Sequence, residues 1–200
     1  SGVMLFGSIA RGDESPLSDI DVLELSQRRS RPYKVGRINV SVYDESTLLG
    51  MAQRGSLFVL HLRNEGKIIR DPHGNLGKCL DAYEQPRDYK PYRKALREIA
   101  NLLDVSESEY TPRWKAYNEL AMFLLRSALY ALFAQAGTPV FSLRVVQQKL
   151  ARSDIATAFH LKNASAASYC EFSVTRQLVS EFLHAEIRNP FETVEALVTN

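Results

Sequence analysis

Residues 3–25 read Val-Met-Leu-Phe-Gly-Ser-Ile-Ala-Arg-Gly-Asp-Glu-Ser-Pro-Leu-Ser-Asp-Ile-Asp-Val-Leu-Glu-Leu. An apolar run, Val3–Phe6, stops at Gly7-Ser8. A short helical segment and the turn-rich stretch Gly12-Asp13-Glu14-Ser15-Pro16 follow, and a second apolar run begins at Ile20. The pattern predicts strand, Gly-Ser turn, short helix, loop and a strand with paired carboxylates.

Each part has a chemical use. Gly7 lacks a Cβ, so its backbone can approach a bulky anion and adopt angles closed to other residues. Ser8 adds a hydroxyl donor, and the amides opening the next turn point into the same space, which suits phosphate oxygens. Arg11, one turn on, can add a charge-assisted bond to that group, or pair instead with Asp13 or Glu14. Asp19 and Asp21 are two residues apart, so on a strand they project from one face. Two adjacent carboxylates repel unless a cation lies between them, and all-oxygen ligation suits Mg²⁺ or Mn²⁺ bridging to substrate phosphates. Two such ions about 4 Å apart can clamp the attacking and leaving oxygens of an in-line phosphoryl displacement.

Outward from this segment, Ile38, Val40 and Val42 alternate with polar residues and predict a half-buried strand over Ile38–Tyr43. The basic stretch between the two strands, Arg28 to Lys34, reads first as a solvated hairpin tip, with contact to a nucleotide or an acidic partner as the alternative. A helix is expected over 45–54, capped by Asp44 or Ser46, and a further strand over Gly66–Arg70. From Pro86 the period changes. Tyr92, Leu96, Ile99 and Leu103 recur at helical spacing, as do Trp114, Tyr117, Leu120, Ala121, Leu124 and Leu125 in a longer segment ending at Gly137-Thr138-Pro139. Further amphipathic stretches lie near 142–152 and 172–187, with a short one near 191–198. The expected architecture is therefore α+β: a small mixed β-sheet domain over 1–86, then an all-α helical bundle over 87–200.

Composition narrows the function. The 200 residues carry a formal charge of +2, and 45% are hydrophobic. Basic and acidic residues number 11 and 11 over 1–86, and 14 and 12 beyond, so no one-sided excess marks a polybasic nucleic-acid binder. No apolar run approaches the roughly 18 residues that cross a bilayer. Cys79 and Cys170 stand alone, and the four histidines show no ligand spacing, which argues against a disulfide framework or a zinc site. The expectation is a cytoplasmic chain with no membrane partner and nucleic acid disfavoured.

Gly7-Ser8, ten intervening residues, then Asp19-Ile20-Asp21 at the start of an apolar strand resembles the signature of the DNA polymerase β-like nucleotidyltransferase superfamily. Ala10-Arg11-Gly12 is similar to its small members, the minimal nucleotidyltransferases of toxin–antitoxin pairs and the aminoglycoside nucleotidyltransferases. The resemblance implies Mg²⁺-dependent transfer of a nucleoside monophosphate from an NTP, usually ATP, to a hydroxyl of a small molecule or protein. By that similarity, Gly7, Ser8, Arg11 and Ser18 hold the nucleotide, and Asp19 and Asp21 bind metal and carry catalysis. The family commonly adds a third carboxylate on the next strand, where this sequence has Asn39 or Ser41. The candidate substitutes are Asp44, just beyond that strand, and Glu107, Glu109 or Glu119 in the helical half. Without one, the alternative is a degenerate nucleotide- or partner-binding protein of a toxin–antitoxin or defence pair. Relatives also carry a helix before the first strand, whereas this sequence opens almost inside it.

Overall fold

The computed structural model describes residues 1–16, 18–27 and 31–190. The chain forms two compact units, Ser1–Arg87 and Asp88–Asn200, and the architecture is α+β. Among the described residues, no helix is long and apolar enough to cross a membrane.

The first unit is built on five strands: β1 (Gly2–Phe6), β2 (Ile20–Ser26), β3 (Tyr33–Val35), β4 (Ile38–Asp44) and β5 (Lys67–Arg70). Their order is β3-β4-β2-β1-β5, with β2 and β4 parallel and the other pairs antiparallel. Period-2 alternation explains the core face: Met4 and Phe6, Leu23 and Leu25, and Val40 and Val42 are buried, separated by less buried neighbours. Each fully buried Leu contributes about 1.5–3 kcal/mol relative to an exposed one. Ile38 departs from the expected pattern. It opens β4 beside the short strand β3, and 37% of its surface stays exposed.

Among the described residues, four helices complete this unit: α1 (Gly7–Arg11), α2 (Glu45–Gln53), α3 (Leu57–Glu65) and α4 (Asn75–Asp81). The last three pack against one another and bury Leu48, Ala52, Val59, Leu62, Leu76 and Cys79. Two of them, α3 and α4, have no counterpart in the sequence pattern. The run Leu57-Phe58-Val59-Leu60 is apolar without periodicity, because the helix it starts is buried on several sides. The basic stretch also differs from expectation: Tyr33–Val35 pairs with β4 as an edge strand, with all three residues exposed, while Arg28 and Arg29 lie outside the described residues.

The second unit is helical: α5 (Lys90–Ala100), α6 (Glu107–Tyr110), α7 (Trp114–Gln135), α8 (Leu143–Leu150), α9 (Ser153–His160) and α10 (Tyr169–Leu183). The 22-residue α7 forms its axis and packs against α5 and α10. Leu96, Leu124, Leu125, Leu129, Phe172 and Leu183 are at most 2% exposed and anchor the core. Tyr110 stacks on Phe172 with ring centroids 4.7 Å apart, and its hydroxyl donates to Asn118 Oδ1 at 3.0 Å. Serines begin three of these helices, since a hydroxyl can accept from an otherwise unpaired first-turn amide: Ser106, Ser142 and Ser168 do so for α6, α8 and α10. The amphipathic stretch near 191–198 lies outside the described residues.

Candidate active site

The sheet register places the Gly-Ser turn against the aspartate pair. Phe6, the last residue of β1, faces Asp21 on β2, and Asp21 also faces Asn39 on β4. Asp21 thus lies where β1 ends, β2 begins and β4 begins. Immediately after Phe6 the chain turns through Gly7 at φ +76°, a left-handed conformation that favours glycine. A Cβ on Gly7 would overlap the Asp21 carboxylate, with Cγ only 3.2 Å away. The glycine therefore performs two tasks: it makes the turn into α1, and it leaves the space that the Asp21 carboxylate fills. Ser8, partly exposed, is the second residue of α1.

Asp19 stands one residue before β2 and is more exposed than the strand pattern suggests, with 42% of its side chain accessible. Asn39 Nδ2 donates to its Oδ2 at 3.0 Å, and Lys34 Nζ lies 3.4 Å from both carboxylate oxygens. The hydrogen bond from Asn39, aided by Lys34 and Arg37, outweighs partial desolvation and holds the carboxyl below its ordinary range. Arg37 binds the same segment twice: its guanidinium donates to the Ser18 carbonyl, and its own carbonyl accepts from Ile20 N at 2.8 Å. Asn39 stands at the position where the resemblance leads one to look for a third acid, but its bond to Asp19, and the approach of Lys34, come only from strand pairing.

Arg11 points into a charged cluster. Its Nε donates to Asp13 Oδ1 at 3.0 Å and its Nη1 to Glu65 Oε2 at 2.8 Å, while His61 Nε2 lies 3.1 Å from the same Glu65 oxygen. Burial disfavours the Glu65 carboxylate, but hydrogen bonds from His61 and Arg11 overcome it and lower the pKa. Burial likewise opposes the Arg11 charge, yet the bonds and charges of Glu65 and Asp13 raise its pKa. The sequence suggested Asp13 as a partner. It gave no sign of His61 or Glu65, which α3 delivers from 50 and 54 positions away. In this arrangement Arg11 braces α1 against α3, and contact with phosphate would require it to leave part of the cluster.

The remaining sequence candidates have local roles within their own units. The Ser18 hydroxyl accepts from Ser15 N at 2.9 Å and closes the loop before Asp19. Asp44 caps α2, accepting from Thr47 N at 2.7 Å and Ser46 Oγ at 2.6 Å. It ends β4 five residues after Asn39, roughly 16 Å along the strand, and so is not brought to Asp19 and Asp21. Glu109 closes a capping box on Ser106, its carboxylate accepting from Ser106 N at 2.8 Å. Glu107 is exposed in the same short helix, α6. Glu119 is exposed on α7 and lines a cleft of about 270 Å³ with Trp114, Asn118, Met122 and Arg126. Arg126 donates from Nε to the Met122 carbonyl at 3.3 Å.

Among the described residues, no group of three or more His, Cys, Asp or Glu side chains converges on a metal position. The donor chemistry of Asp19 and Asp21 nevertheless suits one hard divalent ion: Mg²⁺ takes one or two carboxylates and completes its shell with water and substrate phosphate oxygens, and the Asp19 carboxylate is solvent-accessible.

Residues 1–102 match the family model described as "Nucleotidyltransferase domain". No curated protein matches the chain.

Proposed function

Because the chain belongs to the nucleotidyltransferase-domain family and is thus a nucleotidyltransferase, we propose that it transfers a nucleoside monophosphate, AMP from ATP, to a hydroxyl of a small molecule or protein. The carrying observation is the fit of the Gly7 turn to the Asp21 carboxylate beside Asp19. Gly7 and Ser8 would receive the phosphates at the end of β1, where a backbone without Cβ and a hydroxyl offer close approach and a donor. Asp19 and Asp21 would hold Mg²⁺ or Mn²⁺, which when bound neutralises phosphate charge and fixes the substrate oxygens. Asn39 orients the Asp19 carboxylate by donating to one of its oxygens. Arg11, tied to Asp13 and Glu65, keeps α1 and its preceding turn in place, so the phosphate-binding backbone is organised before substrate arrives. The even charge balance favours a small or protein acceptor over a nucleic acid.

Incubation with α-labelled ATP, Mg²⁺ and panels of hydroxyl-bearing small molecules and proteins tests this reading. Pyrophosphate release with label transferred to an acceptor is expected. Folded protein that neither binds ATP nor releases pyrophosphate would overturn it.

A further inference from the structure

A clamp of two ions requires carboxylate oxygens for both, and the β4 position opposite Asp21 holds Asn39, not an acid. Asp19 is met by donors instead. Asn39 presents an N–H to Oδ2, not an oxygen, and the Lys34 ammonium straddles both Asp19 oxygens at 3.4 Å. Arg37 adds a second positive charge on the same hairpin, anchored to the Ser18 carbonyl next door. Register fixes this arrangement: β4 puts Asn39 opposite Asp21, and β3 puts Lys34 opposite Asn39, so amide and ammonium rise beside the aspartate pair from adjacent strands. A divalent ion placed there would meet an ammonium and an amide donor. Asp21 and the lone pairs of Asp19 not engaged by Asn39 suffice for one ion, since an ionised carboxylate offers about four acceptor positions.

We propose that Lys34, set against Asp19 together with Asn39, takes the place of a second divalent ion, so that the site works with a single ion accompanying the nucleotide. The inference rests on the nucleotide-transfer reading above and adds a residue to it. Lys34 is a positioning residue: it holds the Asp19 carboxylate and puts a fixed positive charge beside it where a second ion would stand.

Counting bound Mn²⁺ by electron paramagnetic resonance, with saturating non-hydrolysable ATP analogue, separates the possibilities. The wild-type chain is expected to bind one Mn²⁺ per protein–nucleotide complex. Asn39→Asp supplies a third carboxylate and should raise the count to two. Lys34→Met changes only an exposed side chain, so folding is safeguarded, and it should admit a second, weaker ion. Two ions on the wild-type chain, or a count of one in both variants, overturns this inference and leaves nucleotide transfer standing. Absence of analogue binding by the folded wild-type chain instead removes the underlying reading.

Discussion

Gly7→Ala and Gly12→Ala form a matched pair that isolates the contact between turn and carboxylate. Both glycines hold left-handed backbone, at φ +76° and +74°, so each alanine carries a conformational cost of about 1–2 kcal/mol. Their surroundings differ. A Cβ at Gly12 meets nothing within 4 Å, whereas at Gly7 it overlaps the Asp21 carboxylate and lies 3.2 Å and 3.3 Å from Asp21 Cγ and Cβ. The cheapest relief is rotation of the Asp21 side chain, which adds little to the stability loss but moves an oxygen by about 1 Å or more. Misplacement on that scale costs on the order of 10²-fold in rate. Urea unfolding should therefore show similar losses for the two variants. Calorimetric titration with Mn²⁺ and a non-hydrolysable ATP analogue should show binding weakened only in Gly7→Ala, with nucleotidyl transfer reduced about 10²-fold. Equal nucleotide affinity in the two variants would refute the assignment of Gly7 and Asp21 to one site.

Four further outcomes are expected. Glu65→Gln should destabilise the first unit by about 1–2 kcal/mol at neutral pH, because Arg11 and His61 lose a charged acceptor. The folded-state Glu65 pKa lies below its ordinary 4.5, so this contribution is complete above pH 4.5 and is lost as pH falls through the lowered value. Unfolding curves of wild type and variant should converge in acid, and a difference that persists there would contradict the ion-pair account. Asp19→Asn with Asp21→Asn should leave circular dichroism unchanged yet weaken Mn²⁺ binding at least as much as the roughly 10–100-fold typical of losing a supporting partner. Asp44→Ala should cost about 1 kcal/mol through the lost α2 cap, with nucleotide affinity unaltered by titration. Tyr110→Phe should lower the stability of the helical unit by about 1–3 kcal/mol, since buried Asn118 then loses the hydroxyl that Oδ1 accepts from; a neutral result in thermal unfolding would count against that bond.

The sequence by itself determined the elements whose causes are local. Gly7-Ser8 ends β1 because the backbone needs a positive φ there, and alternation in Ile38–Tyr43 marks a strand because one face is buried. Helical period marks the helical unit, with Leu96 and Leu103 buried as expected but Tyr92 and Ile99 of the same series left exposed, and the spacing from Gly7 to Asp21 was enough to expect phosphate chemistry. Tertiary structure decided the partners. Strand pairing, not proximity in the chain, sets Asn39 and Lys34 on Asp19, and β3 left no pattern because all three of its residues are exposed. Helix α3 brings His61 and Glu65 to Arg11 across 50 and 54 residues, so that Arg11, expected at phosphate, braces α1 against α3. Asp44, a plausible third acid by position, became a helix cap at the far end of β4. Hydrophobic period records which face of an element is covered, but it carries no information about which charged group from elsewhere in the chain will stand opposite; only packing settles that.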